Sequence, residues 1–301
     1  MFDSLHVIEN SPAKDKILSG KNIVNFDLHI NEQKTCQDKL INDLPVAIDN
    51  NELELFYQPQ INLNAGKTTS VEALLRWQHR YAGNIPPHIF IPLAEQYGHI
   101  NRLTEWVLNN ALHQLFLWRN CGVNIDMAVN LSVHNFDDLQ LPDKISGLLS
   151  KWSIPARHLI LEITEGVMIK DPAHVIKILK ELRAIGVKLS LDDFGSGYSS
   201  LSHLSKLPIN ELKIDRALVT DIEKNRKNSK IVEATIALAK SLGLSVVAEG
   251  VESLIACSKL ANFKCDTVQG FYFSKPVNQN EFSDWLIESD WGLNIETCYA
   301  I

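Results

Sequence analysis

The feature that most constrains this chain is an alternation. Eight apolar, strand-like runs occur at residues 52–63, 69–77, 126–132, 158–165, 187–195, 209–217, 244–251 and 265–273. Between them lie helix-period segments such as LTEWVLNNALHQLFLW, PAHVIKILKELRAIG and SKIVEATIALAKSLG. Strands alternating with helices build a mainly parallel sheet covered by helices, and strands buried on both faces read as near-continuous apolar runs. Eight such units predict an α/β fold, a TIM-like (β/α)8 barrel, rather than an open doubly wound sheet. Gly186 and Gly243 end the second and third of these helical segments, where a C-cap glycine belongs. One link breaks the pattern: little more than Asn64-Ala65-Gly66-Lys67 separates the first two runs. A parallel crossover takes roughly a dozen residues, whereas a hairpin takes very few. The first strand is therefore expected to run antiparallel to its neighbour. Upstream, residues 35–50 carry apolar positions at helical spacing, and FDLHI at 26–30 reads as a short strand.

Composition narrows the class. The 301 residues are 45% hydrophobic, enough for a large core, and the net charge of −7 disfavours a long nucleic acid as partner. Five cysteines without a C-x-x-C argue against a disulfide framework or a zinc knuckle and for a reducing compartment. No apolar h-region opens the sequence, and no run approaches the roughly 18 apolar residues of a membrane span. A cytoplasmic protein with no membrane span is the expectation.

The chemistry stands in the polar residues that interrupt the apolar runs: Glu72, Asn130, Glu162, Glu165, Asp192, Asp193, Lys213, Asp215, Glu249 and Gln269. In a barrel of this kind the active site is assembled at the C-terminal mouth from several strand ends. Acids that converge there need a cation, because buried like charges otherwise take up protons. Carboxylates with an Asn carbonyl are hard oxygen donors, which points to Mg²⁺ or Mn²⁺ rather than zinc. Adjacent Asp192 and Asp193 cannot both face inward from a regular strand, so the pair must sit where the strand gives way to the GSGYSS loop. Two closely spaced ions suit in-line phosphoryl displacement. Read singly, these residues leave alternatives open. Glu165 fits a helix cap or a loop tether, and Lys213 fits a structural counter-ion or a Schiff-base lysine. His79, His88, His134 and His203 follow no metal spacing.

Taken together, the motifs resemble the EAL domain family. Glu72-Ala73-Leu74 within VEALLRW is accompanied, in family order, by YQPQ (57–60), VNLS (129–132), LEITE (161–165), LDDFGSGYSSLSHL (191–204), LKIDR (212–216), VVAEGVE (246–252) and CDTVQGFYFSKP (265–276). The resemblance implies a TIM-like barrel with one reversed strand that hydrolyses cyclic di-GMP to linear pGpG with two Mg²⁺ or Mn²⁺ ions. It implies Glu72, Asn130, Glu162 and Asp192 as ligands of one ion and Asp192, Asp193 and Glu249 as ligands of the second. Lys213 resembles the lysine that holds the attacking water, Gln269 a supporting glutamine, and Glu165 the acid that anchors the loop after the fifth run, 187–195. Gln58 and Arg76 resemble substrate contacts, and Asp215 a partner for a guanine edge. The resemblance covers about residues 38–290, which implies a barrel domain over 38–290 with an unassigned extension over 1–37 and a tail over 291–301; a homodimer is implied, and residues 1–37 are open to an unidentified regulator. Departures are small: Ser196 for a commoner Thr, Gln60 where an apolar residue is more usual, and Ala217 for a frequent Ser. No ligand is lost, which favours an active enzyme over a catalytically silent cyclic di-GMP receptor.

Overall fold

The computed structural model describes residues 30–50, 52–168, 171–195 and 204–293. All eight anticipated runs contain strands. They are β1 (Leu53–Asn62), β2 (Lys67–His79), β4 (Asp126–Leu131), β5 (Leu159–Thr164), β6 (Lys188–Phe194), β7 (Glu211–Ile214), β8 (Ser245–Ala248) and β9 (Thr267–Val268). The ninth strand, β3 (Gly83–Ile85), forms a hairpin on β2 and was not anticipated. β1 pairs antiparallel with both β2 and β9, and every other barrel neighbour is parallel, which closes the sheet. The barrel with one reversed strand is as the short first link requires.

Outside the strands lie α1 (Ile30–Asp49), α2 (Pro87–Gln96), α3 (Ile100–Asn120), α4 (Leu141–Lys151), α5 (Pro172–Ile185), α6 (Arg216–Val219), α7 (Arg226–Ser241), α8 (Leu254–Asn262) and α9 (Gln279–Glu288). α5 starts on an Asp171 cap with Pro172 behind it and ends on left-handed Gly186. The helix expected over 35–50 begins earlier, at Ile30, and runs through the expected boundary at residue 38. It packs Leu40, Ile41, Leu44 and Ala47 against the barrel, and its Asp43 holds buried His79 at 3.1 Å. The expected tail is not detached at its start, since Thr68 donates backbone and side-chain hydrogen bonds to the Trp291 carbonyl. FDLHI over 26–30 lies almost wholly outside the described residues.

Strand alternation sorts the side chains into two environments. On β4 and β5, Met127, Val129, Leu131, Leu159, Leu161 and Ile163 join the apolar core between sheet and helices. The alternate positions, Asn130 and Glu162, are Cα partners on the inner face. Burying the large core at roughly 25 cal/mol per Å² offsets the cost of that polar interior. No helix among the described residues is long and apolar enough to cross a membrane.

Candidate active site

The interior acids gather around Lys213, which is 0% exposed. Its Nζ lies 2.7 Å from Glu249, 2.9 Å from Glu162, 3.1 Å from Asp192 and 3.7 Å from Glu72. Four carboxylates from β2, β5, β6 and the end of β8 thus share one ammonium. Burial alone would lower the Lys213 pKa, but the charges of Glu162, Glu72, Glu249 and Asp192 overcome it and hold the pKa well above the ordinary lysine value. A Schiff-base lysine needs a free amine, so this environment argues against that alternative.

The acids respond to crowding as electrostatics requires. Burial, then the Glu72 charge, pushes the Glu162 carboxyl well above the carboxylate range against the pull of Lys213. Burial pushes Glu249 up to about 7, with Lys213 opposing and Asp192 adding to the rise. Asp193 is pushed up to about 6 by burial and then by Asp192. Glu72 goes the other way: burial raises it, but Lys213 and hydrogen bonds from Gln269 and Asn130 hold it below its ordinary value.

Asp192 and Asp193 come together through a local break in β6. Three residue steps, Leu191 to Phe194, face only two on β7, Leu212 to Ile214. This is a bulge, and Asp193 occupies it with φ of 56°, a left-handed conformation that Asp tolerates better than most residues. Oxygens of Asp192, Asp193 and Glu249 all lie within 4.8 Å of one another. Those three acids can hold a divalent cation, and the donor set fits Mg²⁺ or Mn²⁺ by its hardness. Glu162 Oε1 adds a buried oxygen with no hydrogen-bond partner among the described residues.

A second ring of amides supports the acids. Asn130 donates to Glu72 Oε1 at 2.7 Å, and Gln269 donates to Glu72 Oε2 at 2.6 Å. Gln269 also donates to Gln58 at 2.9 Å and accepts from Gln60 at 3.0 Å. Gly270 keeps Gln269 in place: a Cβ there would lie 2.1 Å from the Val251 carbonyl oxygen, so only glycine allows the β8 and β9 ends to meet. Gln60 was visible in the sequence only as a departure from the family pattern, and Ser70 beside it was not singled out.

The other predicted residues sit further out. Glu165 accepts from the Gly195 backbone N–H at 3.4 Å, a tether on the segment after Asp193; residues 196–203, including Ser196, lie outside the described residues. Arg76 donates to the Leu75 carbonyl and lies 5.3 Å from the Phe56 ring centroid. Asp215 caps α6 by accepting from Ala217 N–H at 2.6 Å and bears on Asp193. Two cavities flank the acids. One of about 720 Å³ is lined by Glu72, Asp192, Glu249, Arg216, Glu252 and exposed Phe271. The other, about 420 Å³, is mostly apolar and includes Arg76, Ile91 and Asn130. Leu74 lines both, and Asp215 lines neither. Arg216, Glu252 and Phe271 had been read only as parts of motifs.

Fold and site together define a barrel whose C-terminal mouth is lined by acids that could hold a divalent cation. The family model for the EAL domain matches residues 41–276, and the chain belongs to that family. The oxygen sensor protein DosP of Escherichia coli is 40% identical over 81% of this chain and 30% of its own length. The bifunctional diguanylate cyclase/cyclic di-GMP phosphodiesterase MucR of Pseudomonas aeruginosa is 40% identical over 88% of this chain and 38% of its own. The chain therefore spans about a third of the length of these relatives. The solved cyclic di-GMP complex of the PaMucR phosphodiesterase superposes with a TM-score of 0.77, at 40% identity, over 81% of this chain and 99% of that one.

Proposed function

We propose that the protein is a metal-dependent phosphodiesterase that hydrolyses cyclic di-GMP to pGpG. The observation that carries this reading is the Asp192–Asp193–Glu249 oxygen cluster beside Lys213. Relatives named as cyclic di-GMP phosphodiesterases, such as PA2567 of Pseudomonas aeruginosa at 36% identity, support the choice of substrate. The two cavities, with Leu74 in the lining of each, would offer room for the two bases of such a ligand.

Glu72, Asn130, Glu162 and Asp192 would hold one ion, and Asp192, Asp193 and Glu249 the other. When bound, two such ions acidify a water and neutralise charge on the phosphoryl group. The remaining work falls to this chain's side chains. Lys213, kept protonated by its four acids, donates hydrogen bonds that orient the attacking water. Gln58 and Gln269 hold the inner wall of the mouth, and the Arg76 guanidinium fork suits a phosphate oxygen. The ribose 3′-oxygen departs, leaving a 5′-phosphate on the linear product. Homodimerisation, a regulator acting on residues 1–37 and a cytoplasmic setting belong to the same reading. Free Cys257 and Cys265 in the core fit a reducing compartment. Sedimentation of a fully active monomer at micromolar concentration would dispose of the dimer.

The test is incubation of purified protein with cyclic di-GMP and Mg²⁺ or Mn²⁺, followed by chromatographic separation of nucleotides. Conversion to pGpG that stops on chelation supports the reading. Cyclic di-GMP that is bound yet recovered intact would identify a receptor instead.

A further inference from the structure

β1 is the one reversed strand of the barrel, and its inner face carries two amides in succession, Gln58 and Gln60. Across the antiparallel pair, Gln58 stands opposite Glu72 and Gln60 opposite Ser70. On the other side β1 pairs with β9 through Ile61–Val268 and Asn62–Thr267, which brings Gln269 against both glutamines. Gln60 is 1% exposed, so each of its polar atoms needs a partner inside the protein.

The hydrogen bonds form a directed chain. The Ser70 hydroxyl donates to Gln60 Oε1 at 2.7 Å, and Gln60 Nε2 donates to Gln269 Oε1 at 3.0 Å. Gln269 Nε2 then spends both its hydrogens, one on Glu72 Oε2 at 2.6 Å and one on Gln58 Oε1 at 2.9 Å. A carboxylate only accepts, so Gln269 serves Glu72 only with its nitrogen end inward. Turned by 180°, it would aim an oxygen lone pair at the carboxylate. A donor at Gln60 distinguishes the two orientations, because it binds the oxygen end and repels the nitrogen end. An apolar residue at position 60 would leave Gln269 Oε1 buried and without a donor, so that the amide would be held from its nitrogen end alone, by Glu72 and Gln58.

We propose that Gln60 is a positioning residue for the reaction: its side-chain amide sets the orientation of Gln269 and thereby the rotation of the Glu72 carboxylate toward a divalent cation. Gln60 has this role only where Glu72 holds a cation, as proposed above. Partners that orient metal ligands typically change affinity or activity by about 10–100-fold.

The variant Gln60→Met keeps the volume and removes the donor. Mn²⁺ binding is measured by titration calorimetry without substrate, and kcat and KM are measured separately with Mg²⁺. The expected result is Mn²⁺ affinity about tenfold weaker and kcat down by about 10–100-fold, with KM for cyclic di-GMP within about twofold. Gln269→Met should weaken Mn²⁺ similarly, and the double variant should be no weaker than Gln269→Met alone. Wild-type affinity and kcat in Gln60→Met, or losses that multiply in the double variant, would overturn the proposal. Should Gln60→Met not fold, Ser70→Ala decides, with a smaller Mn²⁺ loss expected; unchanged affinity overturns the proposal. A wild type that binds Mn²⁺ but does not hydrolyse cyclic di-GMP defeats the hydrolase reading and leaves this test intact. A wild type that binds no Mn²⁺ defeats both.

Discussion

Replacing Lys213 with Met removes the only ammonium within ion-pair distance of Glu72, Glu162, Asp192 and Glu249 among the described residues. Breaking a buried ion pair by deleting one partner costs about 3–5 kcal/mol. Here the orphaned acids can soften the loss by taking up protons, since Glu249 already stands at about 7 with Lys213 in place. Without the ammonium its pKa rises further, above the unfolded value, so the folded variant holds protons that the unfolded chain has released. The relief is complete at low pH and is lost as pH climbs through the folded pKa, at about 1.4 kcal/mol per pH unit for each extra proton held. The expected loss is about 2 kcal/mol at pH 6, growing to about 4 kcal/mol at pH 8. Equilibrium urea denaturation in EDTA, followed by tryptophan fluorescence at both values, reads it directly. Equal stability of variant and wild type at pH 8, or a larger loss at pH 6 than at pH 8, would refute the reasoning.

Other consequences follow from the same geometry. Glu72→Ala should lower kcat by roughly 10³-fold, the effect of several kcal/mol of lost transition-state stabilisation, with an unchanged circular dichroism spectrum; wild-type turnover would remove Glu72 from the site. Ca²⁺ should bind yet support little turnover, because it takes longer bonds and more ligands than Mg²⁺; equal rates in the two metals would count against a tight site. Glu165→Gln should raise the Mg²⁺ concentration needed for half-maximal activity, since it weakens the tether on Gly195 next to Asp193; an unshifted titration curve would contradict the anchor. In EDTA the wild type should melt at lower temperature at pH 8 than at pH 6, because Asp193 at about 6 and Glu249 at about 7 lie above their unfolded values. The Mn²⁺-induced rise in melting temperature should grow over the same interval, as protons cease to compete, and a pH-independent rise would speak against carboxylate ligands.

Much of this was legible in the sequence because parallel strands are apolar on both faces, so each polar interruption stands out. Glu162 inside LILEIT and Lys213 inside ELKI are of this kind, and both prove to be 0% exposed. The reversed strand was legible from a short link, which is a matter of chain reach. That Asp192 and Asp193 break the regular strand was legible because two adjacent acids contradict the pleat, but the break was expected as the strand's end; β6 instead continues to Phe194 past a bulge, in which Asp193 takes a positive φ. What stayed hidden lay on β1. Its glutamines alternate with apolar residues, the same pattern that a solvent-facing strand shows, so nothing in the sequence distinguished lumen from water. β3 is too short for its three residues to carry a period. The cavity lining by Arg216, Glu252 and Phe271 depends on how strand ends from distant parts of the chain converge, which local pattern does not encode.

Hydrolysis in H₂¹⁸O tests the central claim most directly. In the proposed reaction water attacks phosphorus with departure of the ribose 3′-oxygen. With Mg²⁺ or Mn²⁺ and a single turnover, mass spectrometry should find one ¹⁸O in the 5′-terminal phosphate of pGpG and none in its internal diester. Unlabelled product, or cyclic di-GMP returned intact from saturated protein in the presence of metal, would contradict the account.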